Sequence, residues 1–114
     1  MLIAVKNPGE SLKYMLPGKI DLEFLQGLVL GYIETFQTLE LCEQNIIAII
    51  NEEGKLHGMP VNFWVKGDAI VGPAVFVSGD DDDFGGLNDE QVKYLESQLG
   101  KGQKLYREGW QEVK

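Results

Sequence analysis

Four consecutive aspartates, Asp80, Asp81, Asp82 and Asp83, stand in the stretch SGDDDDFGG between Ser78 and Gly86. A dense carboxylate run can hold a hard cation, and the calcium-loop pattern tests that chemistry. It requires acidic ligands at alternate positions, a glycine at the sixth and a bidentate glutamate at the twelfth. Counted from Asp80, the sixth residue is Gly85, but the fifth is Phe84 and the twelfth is Gln91. Counted from Asp81, the sixth is Gly86, while the fifth is Gly85 and the twelfth is Val92. Neither register supplies the bidentate ligand, so no metal site is expected. The run is then either a solvated strand-to-helix loop, where negative charge suits the positive end of the helix dipole, or a partner-binding surface.

The stretch KLHGMPVNFW, Lys55 to Trp64, gathers His57, Asn62 and Trp64 around Gly58 and Pro60. That composition suits a pocket wall with a few polar tips; it suits core packing as well, since methionine and aromatic residues mostly fill interiors. If a small ligand binds here, Trp64 stacks on its ring, Asn62 reads its polar edge and Arg107, the one arginine, offers a guanidinium. His57 is the one histidine and Cys42 the one cysteine, which excludes an intramolecular disulfide and a cysteine-built zinc cluster. Glu40 and Glu43 flank Cys42 and disfavour a thiolate there, so Cys42 reads as a small buried or half-buried residue. Dinucleotide, P-loop, nucleophile-elbow and zincin motifs are missing. No catalytic residue and no cofactor are expected.

The 114 residues, 44% of them hydrophobic, make one domain over residues 1–114 with a single core. A formal net charge of -8 disfavours direct nucleic-acid binding, which rests on clustered lysine and arginine. Between Lys19 and Lys55 there is no basic residue, while Asp21, Glu23, Glu34, Glu40, Glu43, Glu52 and Glu53 are acidic. If these acids share a face with Asp80 to Asp83, the field attracts basic proteins, including those whose own partner is DNA. No apolar stretch approaches the roughly 20 residues of a membrane helix, and Met1 to Lys6 lacks a secretory pattern. A cytosolic protein without a membrane partner is expected.

Leu2 to Lys6 reads as a strand stopped by Asn7-Pro8-Gly9, and Leu12 to Leu16 as a second. Asp21 is a helix N-cap; Leu22, Leu25, Leu28 and Val29 share one face, and Gly31 is the stop. Tyr32 to Leu39 and Ile46 to Ile50 read as strands. Asn51 to Gly54 reads as a hairpin connection to Lys55–Met59, with Gly54 in a left-handed position. Asp68 to Val77 reads as a central strand interrupted at Gly72-Pro73. Asn88 and Gln91 form a capping box, with Leu87 stapled to Val92, for a helix that Gly100-Lys101-Gly102 breaks or kinks, its apolar register continuing to Tyr106 and Trp110 as one kinked helix or two. The fold class is α+β: a mainly antiparallel sheet, one helix after the second strand, a C-terminal helix or kinked pair, and helices on one face or end.

Four blocks in order, GYIE from Gly31, IINEEGKLHGMPVN from Ile49, IVGPAVFV from Ile70 and LNDEQVKYL from Leu87, resemble a family of small bacterial and phage proteins. That family is defined only as a domain of unknown function, DUF3846. The resemblance runs from Met1 to Leu99; the aspartate run and the segment after Leu99 are less typical of it. It implies a phage or mobile-element setting and a non-catalytic protein that binds stoichiometrically to a host protein or defence pathway in the host cytosol. Sequestration of a small signalling nucleotide and DNA mimicry are the alternatives. Gly58 and Asn62 carry the family pattern, with Asn62 placed to close an Asx-turn on its own backbone. Exposed sheet edges favour a homodimer.

Overall fold

Ala74, Val75, Phe76 and Val77 form an unbroken apolar run in which all four residues are buried. A strand alternates its side chains between two faces, so such a run belongs where a sheet is covered on both sides. Ala74 and Phe76 join one core cluster with Ala4, Tyr14, Ala48 and Leu95. Val75 and Val77 join another with Ile3, Val5, Leu25 and Ile49. This computed structural model describes residues 1–65, 67–80, 83–101 and 103–104.

The elements in chain order are β1 (Ile3–Lys6), β2 (Lys13–Met15), α1 (Leu22–Val29), β3 (Ile33–Phe36), α2 (Leu39–Glu43), β4 (Ile46–Asn51), β5 (Val61–Val65) and β6 (Asp68–Val71). They continue with β7 (Ala74–Asp80), β8 (Asp83–Gly85), α3 (Asp89–Leu99) and β9 (Gln103–Lys104). The main sheet runs β3-β4-β7-β1-β2-β9, with β8 paired to the far end of β7. Every ladder is antiparallel except β2 with β9. The fold is α+β, as the sequence indicates.

Both N-caps form: the Asp21 carboxylate accepts from the Phe24 amide at 2.8 Å, and Asn88 and Gln91 bond reciprocally at 2.9 Å. Leu25 and Val29 bury the inner face of α1. Its cap falls one residue before Gly31, on Leu30, whose φ of 67° is left-handed. Leucine there meets a Cβ clash that glycine avoids.

Six expectations change. Lys55–Met59 is not a strand: the His57 amide bonds the Glu53 carbonyl and the Met59 amide that of Gly54. These bonds close helical turns over residues where β4 would need a ladder partner, and β4 pairs β3 and β7 instead. Gly54 is not left-handed; it is needed because an added Cβ would lie 3.0 Å from Val71 Cγ2. Asp68–Val77 is two strands, since Gly72 at φ 75° turns the chain and lets β6 pair β5 in a separate two-stranded sheet. The helix stops at Leu99 because Gly100 adopts φ 88°, and Gln103–Lys104 are strand; Tyr106 and Trp110 lie outside the described residues.

The covers also occupy both faces. Leu25 and Val29 of α1 pack in one cluster, while Leu41 of α2, Leu95 of α3 and Phe63 of β5 pack in the other. Finally, the stretch Tyr32 to Leu39, read as strand, is strand only over Ile33–Phe36, and Leu39 already opens α2. Thr38 caps it, its hydroxyl oxygen accepting from the Leu41 amide at 3.1 Å.

Candidate functional site

Each cover is pinned to the sheet by one side-chain amide. Asn51, 4% exposed at the end of β4, donates to the Val29 carbonyl at 3.0 Å and accepts from the Glu53 amide at 2.7 Å. That bond closes the last turn of α1 onto the sheet. Gln91, 3% exposed on α3, shares its amide hydrogens among the Gln44 and Asn45 carbonyls at 3.0 Å and the Ser78 hydroxyl at 3.2 Å. Asn62 on β5 donates to the Lys6 carbonyl at 2.6 Å and the Gly72 carbonyl at 2.8 Å, and accepts from Lys6 Nζ at 3.0 Å. Its partners lie on β1 and in the β6–β7 turn, so Asn62 is a tie between layers and not an Asx-turn. Buried backbone carbonyls need such partners, because an orphaned one costs about 1–3 kcal/mol.

The pinned β5–β6 hairpin and the pinned α3 do not meet along their whole length. Between them lies an open groove of about 280 Å³. Its floor is Phe76 and Leu41, its walls are Phe63, Trp64 and Val65 on one side and Tyr94, Leu95 and Leu99 on the other. Phe63 holds the floor by ring contact with Phe76 at 6.0 Å between centroids. Trp64 is 67% exposed, which leaves a large indole surface in water. Thr38, Glu40 and Gln98 supply the polar rim. Burial, and after it the nearby carboxylates of Glu40 and Glu43, pushes the Tyr94 phenol above its usual pKa; those two carboxylates are the charges at this rim. No lysine or arginine lines the groove among the described residues.

His57 and Trp64 are not brought together. His57 is exposed and lines a different cleft of about 240 Å³ with Gln26, Leu30, Tyr32, Asn51 and Glu53. Asn62 is turned inward to its carbonyl partners, and Arg107 lies outside the described residues. Cys42, expected to be packed, is exposed, because α2 turns only Leu41 inward. Among the described residues no three histidine, cysteine, aspartate or glutamate side chains gather as a ligand set. No helix among them is long and apolar enough to cross a membrane.

Asp80 and Asp83 belong to a strand pair and not to a strand-to-helix loop: Asp80 ends β7 and Asp83 begins β8, and the two are paired, while Asp81 and Asp82 lie outside the described residues. The reason lies in the turn just before β4: the Gly79 amide bonds the Asn45 carbonyl at 3.1 Å, and Asn45 Nδ2 bonds the Gly79 carbonyl at 2.7 Å, extending β7 past Ser78. The basic-free interval is divided by the same register. Glu43 closes α2 just before Asn45, at the β8 end, whereas Glu34, Glu52 and Glu53 sit where Ile50 pairs Ala74, at the opposite end.

Tyr94, Gln98 and Thr38 were not singled out by sequence reasoning. Tyr94 and Gln98 stand four apart on α3, away from the apolar stripe, and that spacing was the available signal. No curated protein and no solved structure matches this chain. A family model does match, over residues 1–100. With that span, the chain belongs to the family described as a domain of unknown function, DUF3846.

Proposed function

We propose that this chain is a small non-catalytic binding protein of phage or mobile-element origin, acting stoichiometrically on a host protein or defence pathway in the host cytosol. The groove between the β5–β6 hairpin and α3 receives an apolar, basic segment of that partner. The observation that carries this reading is the exposed Trp64 beside an apolar floor and a negative rim. Exposed aromatic anchors over a groove are what protein interfaces use as energetic centres. The same rim weighs against a nucleotide sponge, since a phosphate would meet Glu40 and no described cation.

The test is capture from infected host lysate with the protein immobilised, run beside Trp64→Ala. A basic protein retained at about one-to-one stoichiometry and weakened at least about tenfold by the substitution is the expected result. Capture indifferent to Trp64, or a melting temperature raised by a cyclic or adenine nucleotide, would sink the reading.

DNA mimicry is favoured by one further observation, the β7–β8 pairing that sets Asp80 and Asp83 at the end of the sheet where α2 ends and α3 begins with Asp89 and Glu90. It predicts that the captured protein is itself a DNA binder, released by salt and by changing Asp80 to Asp83 to asparagine. A homodimer is compatible with either reading.

A further inference from the structure

We propose that the open edge of β3 takes in an extended basic segment of the partner protein as an additional antiparallel strand. This rests on the reading of the chain as a protein binder, and extends it from a groove to a backbone interface. β3 is the last strand of the main sheet on one side, with no further neighbour among the described residues, whereas the strand that ends the other side, β9, is only two residues long.

The direction of the free backbone groups follows from one bond. The Glu52 amide donates to the Tyr32 carbonyl at 2.8 Å, continuing the β3–β4 register one pair beyond Ile33 and Asn51. Directly opposed residues in an antiparallel ladder alternate between bonded and non-bonded pairs. Tyr32 being bonded, Glu34 opposite Ile50 and Phe36 opposite Ala48 are bonded as well. Ile33 and Thr35 therefore turn their N–H and C=O groups outward, to the open edge.

Edges that must stay single are blunted by lysine, proline or bulges, by short length, by other charges or by a covering element; β3, four residues long, carries one charge, Glu34, which repels acidic strands and admits basic ones. The sequence of β3 is Ile-Glu-Thr-Phe and carries no lysine, proline or bulge. Its outward-bonding residues are both β-branched, which suits extended pairing. Large exposed apolar side chains flank it, Leu30 and Tyr32 before and Leu39 after, at 68%, 65% and 67% exposure. The edge thus presents strand donors and acceptors together with apolar surface at both ends.

Charge selects the occupant. Glu34 is exposed on β3, Glu40 and Glu43 follow in α2, and no lysine or arginine occurs between Lys19 and Lys55. An added strand that bonds Ile33 and Thr35 places the residue opposite Glu34 in a non-bonded pair, where side chains approach most closely. A lysine or arginine at that position gains an attractive cross-strand pair, and a β-branched residue on either side continues the ladder. A second copy of this chain would bring its acids onto those of the first. Strand addition to a sheet edge is a general mode of peptide capture, with the main chain giving affinity and alternate side chains giving selectivity.

The probe is a fluorescent octapeptide of alternating lysine and valine, followed by anisotropy and by amide exchange in the folded protein. Expected are saturable binding, loss with a glutamate–valine peptide and with a backbone N-methylated lysine–valine peptide, and slowed exchange of the Ile33 and Thr35 amides. Thr35→Pro removes an outward donor while sparing the β3–β4 bonds, and should weaken binding at least about tenfold. Thr35→Val should preserve it. Trp64→Ala should leave peptide binding unchanged, so a failure of the groove is distinguishable from a failure of the edge. Absence of lysine–valine binding, equal binding by Thr35→Pro with native β4 amide protection, or protection of Ile33 and Thr35 in a concentration-dependent dimer of the chain alone would each overturn the proposal.

Discussion

The two faces of the central sheet are built from similar apolar residues and end differently. On one face α1 is the one helix packed over Ile3, Val5, Ile49, Val75 and Val77 among the described residues, with Leu25 and Val29 buried among them and Ile20 and Phe84 at the margins. On the other, the cover comes in pieces: the β5–β6 hairpin, α2 and α3 share Ala4, Ala48, Ala74 and Phe76. Beside α1 the cleft that remains, about 280 Å³, is lined by Lys13 and mostly aliphatic residues and by no aromatic side chain, whereas the separately anchored covers of the other face leave a groove walled by Phe63, Trp64 and Tyr94. That groove is a seam between covers. A binding surface here is a consequence of dividing one layer between two polar anchors, Asn62 and Gln91.

Truncation beneath the seam should have the largest effect. Phe76→Ala removes a fully buried ring that floors the groove and supports Phe63, and should cost about 3–5 kcal/mol in denaturant unfolding. It should abolish partner capture as well. Val77→Ala, on the α1 face, removes two methyl groups and should destabilise less while leaving capture intact. Equal loss of capture from both would erase the functional distinction between the faces.

The anchors come next. Gln91→Ala takes the side-chain donor from the half-buried Gln44 carbonyl and leaves the Asn45 carbonyl only the Gly79 amide, and should cost about 1–3 kcal/mol. Asn62→Ala, half-buried, should cost about 1–2 kcal/mol and should raise hydrogen exchange in β5 and β6 more than in α1. Uniform exchange changes across the molecule would mean the covers are not independent.

The smallest effect is one of pH. Tyr14, buried on β2, donates its hydroxyl to Glu96 Oε2 at 2.9 Å, linking the sheet to α3. Burial, and after it the Glu96 carboxylate, hold the Tyr14 phenol well above its ordinary pKa of about 10. A group raised in the folded state contributes stability that is complete below the unfolded pKa and is lost as pH rises above it. Stability should therefore fall from about pH 10 upward, and Tyr14→Phe should flatten that alkaline decline in a melting-temperature series. An unchanged decline would remove Tyr14 as the link between β2 and α3.

Legibility divided along local and non-local lines. The capping box at Asn88 and Gln91, the Asp21 cap and the buried run at Ala74–Val77 are readable because cap and strand chemistry lie within a few neighbouring residues. The partner of Ile46–Asn51 is not, since two antiparallel neighbours come from residues 33–36 and 74–78 and neither is announced by the adjacent turn. Asn62 and Trp64 were both visible as polar and aromatic residues near a glycine. Only the position of Lys6 and the Gly72 turn explains why one points inward as a tie and the other outward beside a groove.

By itself the sequence determined the α+β class, the negative charge and its basic-free interval, two of the helix starts, and the absence of familiar catalytic motifs, because composition and short-range patterns encode each of these. Tertiary structure decided that Asp80 and Asp83 pair as the ends of β7 and β8, that His57 and Trp64 face different clefts, and that β3 has no outer strand neighbour among the described residues. Those outcomes depend on which distant strands pair and on where two covers fail to meet. No short-range pattern carries that information, since pairing and closure are set by the whole chain at once.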